Sequence, residues 1–307
     1  MGRRGLGWIR DIPDVRDFSP THEQINPLLQ ERLPRLATAV EKPAEERLPT
    51  SVDLRKWFPR PEDQLALNSC TANAGVGLVE YFQSRVSRTY TDASRLFLYK
   101  VTRNLLHWPR DEGAELRTTA GALKMFGVSP EEYWPYDVDA VNEEPPPFCY
   151  ALAQSNRAMK FFSLDPPDIS VDDLLSSIKA FLAAGFPSMF GFAVYDFSIA
   201  QAERTGEIPY PTEEDWIDGG HAVVAAGYDD DKKIRNDDPG GLETTGALLI
   251  RNSWGTEWGD HGYGWLPYKY VLTQLAVDWW TLLEEAWINT EEFGLSVQAG
   301  WGRVHGR

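Results

Sequence analysis

The chain has 307 residues, 42% of them hydrophobic and 25% charged, which fits one large or two ordinary folded domains and excludes wholesale disorder. It carries 30 Lys and Arg against 46 Asp and Glu, a net charge of −16, so nucleic acid and anionic membrane surfaces are poor partners. Cys70 and Cys149 are the only cysteines, which excludes a disulfide scaffold. No apolar run approaches the ~18 residues of a membrane span. Met1–Pro13 holds Arg3 and Arg4 with no apolar stretch behind them, so no secretory or twin-arginine signal is readable. The expectation is a cytoplasmic protein, with export by another route left open.

In chain order, residues 1–50 come first and differ from the rest. They hold 8 basic and 8 acidic residues, against 22 and 38 in residues 51–307. Gly7–Phe18 mixes apolar anchors with charges and reads as an extended strap held by Trp8, Ile12 and Phe18. Prolines at 20, 27, 34, 43 and 49 then allow only short helices between breakers. A body follows over 51–288, and a tail over 289–307. Within the body, apolar residues at 72, 76, 79, 82 and 86 predict a helix over 70–86 with Ser69 as N-cap. Further helices are predicted over 118–126, stopped by Gly127, and over 172–184, with Asp172 and Asp173 in its first turn. Cys149 follows three prolines and Phe148 and reads as a spare thiol in a loop. Short apolar runs at 188–195, 221–228, 247–252 and 262–267 predict strands. Asp229–Asp231 reads as a solvated hairpin tip, because the interleaved Lys232, Lys233 and Arg235 do not match a metal loop. Helices first and strands later argue an α+β fold.

Four segments carry chemistry: Gln64–Ala74 around Cys70, Gly219–Val224 around His221, Arg251–Gly255 around Asn252, and the Gly-rich turn Gly259–Trp265. Singly, each has a bland reading. Most lone cysteines are small buried hydrophobes, and a His before Ala-Val-Val reads as a strand histidine. Together, in this order, they resemble the papain-like cysteine peptidases, the bacterial branch in particular. Val52–Arg55 resembles the start of the family's mature enzyme, and Glu132–Tyr136 its aromatic-Pro-Tyr turn. The resemblance runs from about residue 51 to 272. It implies a two-lobed fold, a helical lobe and a β-rich lobe with the active-site cleft between, and a peptide or protein substrate. No metal and no cofactor are expected.

The chemistry can be argued beside the resemblance. A free thiol has pKa ~8.5, so a nucleophilic Cys70 needs help to ionise. The first turn of a helix offers unpaired N–H groups, and a histidine can hold the proton. His221 lies 151 residues beyond Cys70 and Asn252 a further 31. The Asn252 amide oxygen can orient the imidazole, the third-group role in triad logic. The resemblance further implies that Gln64, six residues before Cys70, completes an oxyanion hole and that Trp254 shields the His–Asn bond. Gly113, Ala114, Asp218 and Gly220 are the further candidates for substrate contact. The departures from the family are local. Its Cys-Gly-Ser-Cys-Trp block is here Leu67-Asn68-Ser69-Cys70-Thr71, which puts the Asn68 side chain where substrate backbone would approach.

Three expectations follow. The reaction is amide hydrolysis through a thioester, with acyl transfer to an amine and an inactive binding protein on the same fold as alternatives. Residues 1–50 form either a short propeptide-like segment that crosses the cleft or a permanent strap. The acids of 203–218, which end at Asp218 beside the candidate base, favour substrates bearing Lys or Arg.

Overall fold

In the computed structural model, residues 4–42, 46–153, 159–290 and 292–295 are described. After an extended segment from Arg4 to Ser19, the helices are α1 (Asn26–Arg32), α2 (Pro34–Glu41), α3 (Cys70–Ser87), α4 (Arg95–Leu106), α5 (Leu116–Phe126), α6 (Pro147–Ala153), α7 (Val171–Ala183), α8 (Asp196–Thr205), α9 (Tyr268–Leu272) and α10 (Glu285–Ile288). The strands are β1 (Ser51–Asp53), β2 (Lys160–Ser163), β3 (Ser188–Tyr195), β4 (Ile217–Arg235), β5 (Glu243–Arg251), β6 (Tyr263–Pro267) and β7 (Ala276–Leu283). They form one antiparallel sheet in the order β2-β7-β3-β4-β5-β6, with β1 added to β4. The result is the expected α+β arrangement of a helical lobe beside a β-rich lobe.

The helix α3 is buried along nearly its whole length, from Cys70 to Phe82. That accounts for its small residues at Ala72, Ala74, Gly75 and Gly77. A Cβ on Gly77 would lie 2.7 Å from the Arg251 guanidinium, so helix and sheet pack too closely for a larger residue. On the sheet side, residues 221–228 of β4 are buried throughout and pair with β3 on one edge and β5 on the other. The sheet's central strand therefore carries His221 while the central helix begins at Cys70.

Several sequence expectations are corrected. The Ser69 side chain does not cap α3, because its hydroxyl bonds the Tyr136 hydroxyl at 2.6 Å and receives Asn73 Nδ2. Cys149 lies in α6, not in a loop, and is fully buried with its thiol on the Tyr133 carbonyl. Asp229–Asp231 is no hairpin tip. It forms a bulge inside β4, where Asp230 pairs with Lys179 and accepts from the Tyr268 hydroxyl, and the chain turns only after Arg235. Ile12 anchors nothing at 75% exposure, whereas Trp8 and Phe18 pack against the core. Phe293, placed in the tail by sequence, packs between Phe82 and Phe186, and residues 296–307 of that tail lie outside the described part.

The first fifty residues divide into two kinds of structure. Ile25, Leu29, Leu33 and Leu36 are buried, and α2 packs on α7, so this helical pair belongs to the core. Residues 4–9 instead run as extended chain between the two lobes.

Candidate active site

Cys70 opens α3, at the end where backbone N–H groups lack helical partners. The N–H of Ala222, next to His221 on β4, favours the Cys70 anion, so this part of the sheet lies near the sulfur that opens the helix. The Val224–Arg251 pair sets the β4–β5 register and delivers Asn252, just past the end of β5, beside His221. His221 Nε2 and Asn252 Oδ1 are 2.8 Å apart, and Oδ1 also accepts the Ser253 N–H at 2.8 Å. An amide oxygen only accepts, so Nε2 carries the proton and Nδ1 is left as the basic nitrogen. Nδ1 has no hydrogen-bond partner among the described residues. Trp254 stacks on the imidazole at 4.6 Å and 23°, and Trp258 meets Trp254 edge-on. The His–Asn bond is thereby shut off from water.

Gln64 is fully buried. Its Oε1 accepts the Ser253 hydroxyl at 2.5 Å, which fixes the amide's orientation and leaves Nε2 as the donor. Nε2 reaches the Leu67 carbonyl at 2.8 Å and the Gly5 carbonyl at 3.1 Å. The Tyr136 hydroxyl donates to the Gln64 carbonyl at 2.9 Å and meets Ser69 Oγ, tying the Gln64 loop to the start of α3.

The cleft is filled by the chain's own N-terminal segment. The Gly7 carbonyl accepts the Ala114 N–H at 2.8 Å, and the Ala114 carbonyl accepts the Ile9 N–H at 3.1 Å. The Trp8 N–H donates to the Gly220 carbonyl at 3.1 Å, and the Gly7 N–H lies near enough to the Cys70 sulfur to favour its anion. The Trp8 ring lies where a Cβ on Gly191 or Gly220 would sit, at 1.9 and 2.7 Å, so both positions must be glycine for the ring to enter. The indole Nε1 donates to Asp278 at 3.0 Å. Gly113, Ala114 and Gly220 thus all lie against the chain's own residues 7–9. Asp218 lies at the cleft's edge, lining a cavity of about 420 Å³ with Arg4, Gly5, Leu6, Ala66 and Asn68.

This cover changes the electrostatics from the sequence expectation of an ionised pair. Burial pushes the Cys70 thiol up to about 11, outweighing the N–H groups of Ala222 and Gly7 that favour the anion. Burial pulls His221 down to about 4, against the Asn252 hydrogen bond, and the Arg4 charge lowers it further. With the segment in place both groups are neutral near pH 7. The cause is desolvation, since a charge shut away from water loses its hydration.

Chemically, a buried thiol at a helix start, a histidine held by an asparagine and an amide donor between the lobes could act as nucleophile, base and oxyanion donor. The chain belongs to the papain family of cysteine proteases, whose pattern matches residues 48–273. Over 291 residues it is 33% identical to an uncharacterized peptidase C1-like protein of Acanthamoeba polyphaga mimivirus, covering 92% of this chain and 87% of that one. Its structure is similar to that of xylellain, a cysteine protease from Xylella fastidiosa, with a TM-score of 0.71 and 32% identity over 92% of this chain and 98% of that one. Digestive procathepsin L 3 of Tenebrio molitor shares the fold at 17% identity and a TM-score of 0.56, over 78% of this chain and 71% of that one.

Four further contributors at the cleft escaped sequence reasoning. Ser253 holds the Gln64 amide and Asp278 holds the Trp8 indole, while the Tyr99 hydroxyl joins Asp111 to the Gly113 N–H. Only Ser253 had a local signal, as the neighbour of Asn252.

Proposed function

We propose that the protein hydrolyses peptide bonds with Cys70 as nucleophile, His221 as proton carrier, Asn252 as the group that orients it and Gln64 as an oxyanion donor. The observation that carries this reading is the 2.8 Å His221–Asn252 contact beneath Trp254, beside a thiol at a helix start. In the reaction the thiolate attacks the substrate carbonyl, and Gln64 Nε2 with the Cys70 N–H receives the oxyanion. The imidazolium then gives its proton to the departing amine, leaving a thioester. Water, deprotonated by the same imidazole, releases the acid. Gln64→Ala is expected to lower kcat by about 10²–10³-fold, the loss seen when one oxyanion donor is removed, with a smaller change in KM. Steady-state kinetics on a fluorogenic peptide checks this.

Residues 4–18 act in this proposal as a removable cover of the cleft, while 25–41 are permanent structure. The support is that residues 4–9 occupy the hydrogen-bonding groups a substrate needs, whereas α1 and α2 bury their apolar faces in the body.

For substrate preference, the acids of 203–218 reduce to few. Glu207 is paired with Lys232, Asp215 holds the Thr212 N–H, and Glu203 faces Arg4 at 3.7 Å. Glu203 and Asp218 are thus the acids nearest the covering segment, and release of Arg4 leaves both facing the cleft. Peptides with Lys or Arg near the scissile bond are expected to exceed matched Glu peptides in kcat/KM, by a ratio that shrinks as salt rises. A ratio insensitive to ionic strength removes the electrostatic argument.

A further inference from the structure

Asn68 stands where the sequence pattern of the family has glycine, and its side chain does not obstruct the cleft. Its amide is held in one orientation, because Nδ2 donates to the Asp111 carbonyl at 2.9 Å. That contact requires the opposite atom, Oδ1, to face away as an acceptor, and Oδ1 receives the Leu6 N–H at 3.1 Å. The Asn68 main chain is held as well: its N–H donates to the Asp111 carboxylate at 3.0 Å. The same carboxylate takes the Tyr99 hydroxyl at 2.5 Å, and the Tyr99 oxygen accepts the Gly113 N–H at 3.1 Å. Asp111 therefore braces two walls of the cleft at once, the loop before Cys70 and the segment at Gly113.

The Gly5–Leu6 peptide group lies between two side-chain amides. Its carbonyl oxygen accepts from Gln64 Nε2 at 3.1 Å, and its N–H donates to Asn68 Oδ1 at 3.1 Å. A trans peptide unit is planar, with C=O and N–H pointing in opposite directions. Two amides at the opposite edges of that unit, one donating and one accepting, grip it whatever side chains flank it.

We propose that Asn68 is a peptide-binding residue of this cleft, accepting the N–H of the amide group whose carbonyl oxygen Gln64 receives. The ligand class is a secondary amide. An ester has no N–H to offer, and neither does the bond preceding a proline. This inference rests on the peptidase reading for its substrate, but the covering segment lets it be tested without turnover.

The experiment replaces the Leu6 N–H by an ester oxygen, incorporating the α-hydroxy analogue of leucine at position 6 of the full chain. It measures the rate at which iodoacetamide alkylates Cys70, identified by peptide mapping, in the wild-type and Asn68→Ala backgrounds. One lost hydrogen bond should speed labelling about three- to tenfold in the wild type. The ester also weakens the Gly5 carbonyl as an acceptor for Gln64, but equally in both backgrounds. The ester effect should therefore shrink by that three- to tenfold factor in Asn68→Ala. An equal ester effect in both backgrounds overturns the proposal. So does an unchanged rate for the ester in the wild-type chain, which settles the matter should Asn68→Ala fail to fold. Loss of turnover in a separate peptide assay bears on the peptidase reading alone.

Discussion

Replacing Cys70 by alanine is expected to lower kcat/KM by about 10⁴–10⁶-fold, the range seen when a nucleophile that works as a unit with its base is removed. The fold should survive, because alanine suits the first turn of α3 and fills most of the volume of the buried thiol. Cys149→Ala provides the contrast. Its thiol is equally buried but lies in α6, on the Tyr133 carbonyl. That variant should lose about 1 kcal/mol of stability and keep its turnover. Peptide hydrolysis and urea unfolding, run on both variants, check the pair of outcomes. Activity lost in Cys149→Ala and kept in Cys70→Ala would falsify the assignment.

Trp8→Ala should open the cleft. The change removes a half-buried indole from its slot between Gly191 and Gly220, and with it the hydrogen bond to Asp278. The loss is about 2–3 kcal/mol, below the range for a fully buried tryptophan, and it corresponds to a 30- to 150-fold shift toward the open form. Hydrogen exchange at the Ile9 amide, which donates to the Ala114 carbonyl, reads the opening directly.

The same docking is linked to protons. Asp278 also receives the Asp11 N–H at 2.8 Å, and Asp11 accepts the Trp280 indole and the Arg117 N–H. Burial raises both carboxyls well above the usual carboxylate range, with the Asp278 charge adding to the effect on Asp11 and the Asp165 charge adding to that on Asp278. Arg117 and Arg10 act in the opposite direction. A docked state with raised acids holds protons that the undocked, solvated acids give up, so docking strengthens as pH falls. It weakens as pH rises from the ordinary carboxylate range of ~4 toward neutrality, by up to about tenfold per pH unit for each proton released, and levels off once the docked acids have ionised. Exchange at Ile9, corrected for its intrinsic pH dependence, should follow that slope in the wild type and flatten in Asp11→Asn. A flat wild-type profile rejects the linkage.

The elements that carry Cys70, His221 and Asn252 could be read in the sequence because these residues sit in local contexts that leave few choices. Cys70 falls at a helix start defined by apolar spacing, and His221 and Asn252 fall on or at the end of strands bounded by glycine and polar residues. The helices α4 and α8 and the strand β7 were missed. The run 276–283 is buried on both faces, so it lacks the alternation that marks a strand, and Arg95–Leu106 places Arg95 and Arg103 on buried positions that a polarity pattern reads as exposed. The length of β4 was also underestimated, since its outer half, from Asp229 to Arg235, is charged and continues only through a bulge. The ionisation of Cys70 and His221 was not legible at all. It depends on water being excluded by residues 4–9, a contact between the chain's first residues and its centre that no local pattern encodes.

That contact has a kinetic meaning. An occupant joined to the same chain faces the cleft at an effective concentration of about millimolar, however dilute the protein is. Dilution therefore cannot relieve it, and a free peptide meets only the fraction of molecules that happen to be open. If about 1% are open, every substrate's apparent dissociation constant rises about 100-fold, while the rate at saturation is unchanged. Weak substrates would go uncut at ordinary concentrations and strong ones would be cut slowly. On the proposed reading, residues 4–9 would thus set a threshold on substrate affinity as well as a barrier.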